Sequence, residues 1–201
     1  MPYIKLITLI LILFFSACST QPEKTASSFN KKNTTIKKIK PLSPAERKLY
    51  KQALTELYNN KLDNAEYILK KFQKNRPDLS GPLANLGLIY YKKSNYKKAK
   101  EILQKSLKLN PNLSESFNLL GMIEVKNGNI QKAEKFYLQA LKHKNNYANA
   151  HYNIALLYDI YLQNIEKAIL HYKQYMVLSK TKDKITQEWL EQLENSLKNK
   201  E

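Results

Sequence analysis

The feature that most constrains this chain is a repeat: Ala65, Ala99 and Ala133 recur at a step of thirty-four residues, and Ala168 follows after thirty-five. Two further columns keep that step, with Ala53, Gly87, Gly121 and Ala155 in one, and Pro77, Pro111 and Asn145 in the other. A unit of this length cannot close a core alone and must bury one face against its neighbours, so the chain is read as a stack of like units. With 43% apolar residues and only 4 glycines in 201, the units are expected to be helical rather than turn-rich.

The second unit carries the fullest pattern: Leu83, Leu86, Gly87, Tyr90, Ala99, Leu103 and Pro111, with Ser106 where alanine is usual. This resembles the tetratricopeptide repeat. The resemblance implies an all-α, right-handed superhelical solenoid of about four helical hairpins plus a C-terminal capping helix. In such a hairpin the small residues let two helices approach closely, the flanking apolar residues pack within and between hairpins, and the proline ends the second helix. The units read as 46–79, 80–113, 114–147 and 148–178, within a domain of 44–180. The first unit is more polar, with Gln52 and Glu56 at positions that are commonly apolar. The fourth holds one extra residue between about Asp159 and Asn164, places Tyr175 where a small residue is usual, and lacks the proline; a wider hairpin is expected there. Beyond it Ile185, Trp189, Leu193 and Leu197 stand at steps of four with Leu190 beside them, predicting an amphipathic helix within 181–198 that caps the stack or, alternatively, binds a partner on its own.

Ahead of the repeats the chain reads as an address. Lys5 precedes the apolar run from Leu6 to Phe15, then Ser16 and Ala17 lead to Cys18, the one cysteine in the sequence. This is the anatomy of a signal peptide over 1–17, with an apolar run about half the roughly 20 residues needed to span a bilayer. Phe15-Ser16-Ala17-Cys18 resembles the lipobox of bacterial lipoproteins, with Phe15 in place of the usual leucine. That resemblance implies lipidation of Cys18, membrane attachment through acyl chains, and, with Ser19 rather than Asp next, an outer-membrane address facing the periplasm. The alternative is an ordinary cleavage site and a free thiol. The segment 18–43 is rich in Ser, Thr, Asn, Gln and Lys and reads as a tether. Ser43-Pro44-Ala45-Glu46 then signals a helix start, with an N-cap serine, proline at the first helical position and an acid in the first turn.

A formal charge of +17 would point a cytoplasmic protein towards nucleic acid, but an exported chain does not meet it, and no nucleic-acid partner is expected. His143, His151 and His171 are not at metal-ligand spacing, and no metal or cofactor is expected. The sequence has no glycine-rich phosphate loop and no nucleophile elbow, and its acids are dispersed, so the chain reads as a non-enzyme. The tetratricopeptide resemblance implies a concave groove lined by the first helix of each hairpin. It places there Tyr50, Leu54 and Tyr58 with Leu57 from the first unit, Leu88, Tyr91 and Lys92 from the second, Asn118, Met122 and Lys126 from the third, and Tyr152, Leu156 and Asp159 from the fourth. Two roles are open to these side chains, contact with a partner or packing between adjacent first helices. Relatives that clamp acidic tails use Lys, Arg and Asn, whereas here only Asn85 stands at one of those five positions, the others holding Tyr50, Leu54, Glu115 and Leu119. An extended or helical protein segment with apolar anchors is the expected ligand. The functions this implies are a scaffold for an envelope complex (pilus secretin, transport or cell-wall machinery) or, alternatively, a basic surface for anionic envelope polymer or lipid.

Overall fold

A computed structural model describes residues 40–179 and 183–199; the segments read as a signal peptide and tether, with Cys18, lie up to residue 39 outside the described residues. Every described element is helical. Four antiparallel hairpins follow one another: α1 (Pro44–Tyr58) with α2 (Leu62–Asn75), α3 (Ser80–Lys92) with α4 (Tyr96–Leu109), α5 (Ser114–Lys126) with α6 (Ile130–His143), and α7 (Ala148–Leu156) with α8 (Ile165–Leu178). A last helix, α9 (Lys184–Lys198), lies against α8. Each hairpin packs on the next, α2 on α3, α4 on α5 and α6 on α7, and α5 touches both α3 and α7. The result is a solenoid whose stability comes from neighbour contacts.

The small-residue columns explain why the hairpins close. Ala65, Ala99, Ala133 and Ala168 are fully buried, as are Ala53 and Ala155. A Cβ added to Gly87 would stand 2.5 Å from Leu103 Cδ2, and one added to Gly121 would stand 2.5 Å from Tyr137 Cε1, so the helices of these hairpins meet with no room for a methyl group. The turns inside the hairpins follow the same register. Asn60, Ser94 and Gly128 stand thirty-four residues apart, and each has positive φ (57°, 58° and 75°). Only the third hairpin uses glycine for this left-handed backbone.

The extra residue of the fourth unit is taken up inside its first helix. α7 runs without a break into a π-turn, Leu157–Tyr161, where the Leu162 N–H donates to the Leu157 carbonyl five residues back at 3.0 Å. One inserted residue in a helix commonly takes this form. It leaves Ile160 and Tyr161 exposed and lets Ala168 regain the buried column.

The ends are fastened by polar contacts. Ser43 and Glu46 cap α1 reciprocally, the Glu46 N–H donating to Ser43 Oγ at 3.2 Å and the Ser43 N–H to Glu46 Oε2 at 2.6 Å. Buried Arg76, at the end of α2, donates to the Lys40 carbonyl (2.7 Å), to Asp78 and to Glu46, which ties the entry of the chain to the first hairpin. Asp183 caps α9 through Thr186 and accepts from the Tyr175 hydroxyl of α8 at 2.9 Å. The buried stripe of α9 differs from the one expected. Ile185 is 62% exposed and Trp189 41%, while Thr186 is buried and Leu190 and Leu193 pack on the fourth hairpin. The reason is rotation: at 3.6 residues per turn, three steps of four drift by about 120°, so Ile185, Trp189, Leu193 and Leu197 cannot share a face.

Candidate functional site

The first helices of hairpins two, three and four line one hollow of about 400 Å³. Its apolar floor is Ala84 and Leu88 of α3 with Leu119 and Met122 of α5, and its polar walls are Asn85, Glu115, Asn118, Tyr147, Asn149, Tyr152, Asn153 and Tyr175. The asparagines are already oriented. Asn85 Nδ2 donates to the Tyr50 hydroxyl at 2.7 Å, Asn153 Nδ2 to Asn118 Oδ1 at 2.9 Å, and Asn118 Nδ2 lies 3.8 Å from Met122 Sδ. The first of these bonds joins the first helices of hairpins one and two, and the second those of hairpins three and four.

Glu115 is the one charged residue in the lining, and Lys144 pairs with it at 3.1 Å. Burial first, and then the Glu115 charge, push the Tyr147 phenol up to about 12; burial and the Asp183 charge raise Tyr152. The phenols are therefore neutral donors at physiological pH. In a chain of formal charge +17 the hollow is nearly uncharged, so what it can do chemically is hold amide and apolar groups.

Of the groove residues read from the sequence, the fold brings Leu88, Asn118, Met122 and Tyr152 into this hollow. Tyr50 stands beside it through Asn85, its ring packed 5.2 Å from Phe72. Tyr91 packs against Tyr96 at 5.6 Å, and Tyr152 leans on Tyr175 at 4.9 Å, so these rings are in part structural. Leu57 is buried; Leu54 and Tyr58 stand 39% and 90% exposed on α1, away from the lining. Lys92 and Lys126 are not buried, Lys92 donating to Asn60 at 3.3 Å. Leu156 and Asp159 face a second cleft of about 460 Å³ with Ile160, Trp189 and Leu193. Asn149, Asn153, Tyr147 and Tyr175 were not foreseen as lining. Asn85 and Asn153 do share a register, two steps of thirty-four apart, which is the signal that could have found them. Among the described residues no group of three or more His, Cys, Asp or Glu is placed to hold a metal ion, and no helix is long and apolar enough to cross a membrane.

Two family models described as tetratricopeptide repeat match the chain, one over residues 82–113 and the other over 102–135. Residues 82–135 carry tetratricopeptide repeats. Among solved structures it is similar to MamA (25% identity, TM-score 0.51), with 63% of this chain and 74% of that one covered. It is also similar to TTC0263, a thermophilic tetratricopeptide-repeat protein of Thermus thermophilus (19%, TM-score 0.63; 74% and 80% covered). The Cut9–Hcn1 hetero-tetramer of APC/C gives 19% and 0.63 over 74% of this chain and 29% of that one. No curated protein matches it. Tetratricopeptide repeats are generally non-catalytic and act by presenting a surface to protein partners.

Proposed function

We propose that this chain is a lipid-anchored scaffold of the bacterial cell envelope, whose groove holds a segment of a protein partner and so assists assembly or stability of an envelope complex. The observation that carries the binding half is the hollow itself: an apolar floor framed by oriented amides and neutral phenols, with one acid and no lysine among its lining residues. An extended segment satisfies such a lining by setting backbone amides against the asparagines and one apolar side chain on Leu88, Leu119 and Met122. The anchoring half rests on the sequence from Met1 to Cys18, and Ser19 supports an outer-membrane site facing the periplasm. Pilus secretin, transport and cell-wall machines each offer partners of this kind.

The test is photo-crosslinking in intact envelopes. A crosslinker at Leu88 or Met122 is expected to trap a discrete partner protein that the same group placed at exposed Lys108 does not trap. Equal trapping at the three positions, or none, overturns the groove as the binding surface.

A further inference from the structure

In the first three hairpins the fourth residue of the repeat and its counterpart on the second helix are apolar: Leu49 and Ile68, Leu83 and Ile102, Phe117 and Phe136. The rings of the third pair lie 6.4 Å apart. The fourth hairpin has His151 and His171 in these places, with ring centres 5.2 Å apart and the two Nδ1 atoms at 3.0 Å. Ring centres so far apart with the nitrogens in contact mean that the imidazoles meet head-on. Their lone pairs lie along one line, which suits a shared proton and not two ligands converging on one ion.

The proton count of the pair follows from its neighbours. His151 Nε2 lies 2.9 Å from the Asn145 carbonyl, which can only accept, so Nε2 carries hydrogen and the Nδ1 of neutral His151 is bare. His171 Nδ1–H then donates to it. A first added proton can sit on His171 Nε2 and leave the bond intact. A second must go to His151 Nδ1, where it would face the His171 hydrogen across 3.0 Å, and the rings must part.

We propose that His151 and His171 form a proton-sensitive latch that holds the two helices of the fourth hairpin together near neutral pH and releases them on acidification. Of the charged groups around the pair, Lys167 acts in the same direction. Tyr158 of the π-turn stacks on His171 at 5.7 Å, its hydroxyl turned to Glu134 of α6 at 2.7 Å, and Lys167 of α8 places its ammonium 4.9 Å from the Tyr158 ring centre. The Glu134 carboxylate is thus occupied by a phenol, while Lys167 adds a positive charge. Burial, then the His151 and Lys167 charges, push His171 down to about 4. An unfolded histidine titrates near about 6.5, so the unfolded hairpin takes up protons that the folded one refuses. Stabilisation from the pair is complete above about 6.5 and is lost as pH falls from there towards about 4. Since Tyr152 and Asn153 follow His151 directly and wall the groove, release would loosen that wall; this consequence rests on the groove reading above.

The experiment is amide hydrogen exchange on the full chain, corrected for intrinsic rates, at about pH 7 and about pH 5. Protection of α7 and α8 is expected to fall about tenfold relative to α3 and α4. A variant carrying His151→Phe and His171→Phe, which copies the pair of the third hairpin, is expected to show no such loss. An equal loss in both proteins, or none in the wild type, overturns the latch. Should the double variant not fold, ring-proton NMR of the wild type decides: His171 is expected to titrate well below the ordinary histidine value of about 6.5, and titration near that value overturns the proposal. No partner enters these measurements, so their failure leaves the groove untouched, and failed crosslinking in the groove leaves the latch untouched.

Discussion

Lys100 on α4 donates to Glu124 on α5 across 2.7 Å, and the Glu124 carboxylate, fully buried, also meets Lys132 (3.3 Å) and Asn129 (2.8 Å). The same place between other hairpins holds different chemistry. Tyr90 donates to Glu66 at 2.6 Å and Tyr158 to Glu134 at 2.7 Å, each pair again twenty-four residues apart. The acid belongs to the later hairpin in one case and to the earlier in the other two. Removing one partner of a buried ion pair leaves the other stranded, so Lys100→Glu and Glu124→Tyr should each destabilise the fold by about 2–3 kcal/mol, the partial exposure of the lysines keeping the loss moderate. The double variant recreates the Glu66–Tyr90 contact and should regain at least about 1 kcal/mol of the summed loss. Denaturant melts of the four proteins check this, and strict additivity would refute it.

Gly121 faces the ring of Tyr137 with no room for a methyl group. Gly121→Leu should lower stability by about 3 kcal/mol and Gly121→Ala by about 1 kcal/mol, the helix propensity of alanine offsetting part of the clash. Ala99→Leu, at a fully buried column position, should behave like the former. Calorimetry is the check, and an unchanged melting temperature in either leucine variant would contradict the packing described.

Glu66 gives the first interface a defined acid limit. Burial works to raise its carboxyl, but hydrogen bonds from Lys70, Lys93 and the Tyr90 hydroxyl outweigh it and hold the group down to about 2. An unfolded glutamate titrates near about 4.3, so the unfolded chain binds the proton more readily; the stabilisation is present above that value and drains away as pH falls through about 4 towards about 2. Melting temperatures of the wild type and Glu66→Gln should therefore converge between about pH 5 and about pH 2. A constant gap would show that the carboxylate is not the source.

Tyr50 and Tyr152 pack on Phe72 and Tyr175, so replacing them tests fold and binding together. Leu88 and Met122 both line the hollow and are only partly buried, and since both also touch the core, an unchanged melt of the variant separates binding from fold. Leu88→Ala with Met122→Ala should reduce partner capture from membranes at least tenfold, since truncating an anchor at an interface costs about 2 kcal/mol or more. Lys97→Gln, Lys98→Gln and Lys105→Gln together should leave capture unchanged. The reverse outcome would move binding to the basic surface.

Cys18 is expected to carry the anchor. Metabolic palmitate should label the protein, and Cys18→Ala should lose the label and appear in the soluble fraction. Label retained by that variant would exclude lipidation at this position.

What the sequence determined by itself is the hairpin. The step of thirty-four, lengthened to thirty-five before Ala168, marks Ala65, Ala99, Ala133 and Ala168, and these are fully buried because the contact they make lies between two helices joined by a short turn, a relation that local spacing encodes. Leu88, Asn118, Met122 and Tyr152 could be placed on the groove for the same reason, since their register on the first helices repeats. Contacts between hairpins, and the form taken by the inserted residue, were decided by the tertiary structure. The inserted residue is absorbed as a π-turn at Leu157–Tyr161, a form that spacing does not specify, and Leu156 and Ile160 there face a separate cleft. Likewise the face α9 buries, Thr186, Leu190 and Leu193 rather than Ile185 and Trp189, is set by where α8 offers it a surface. An amphipathic pattern fixes that a helix has a side to bury, and only its neighbour selects how far that side is turned.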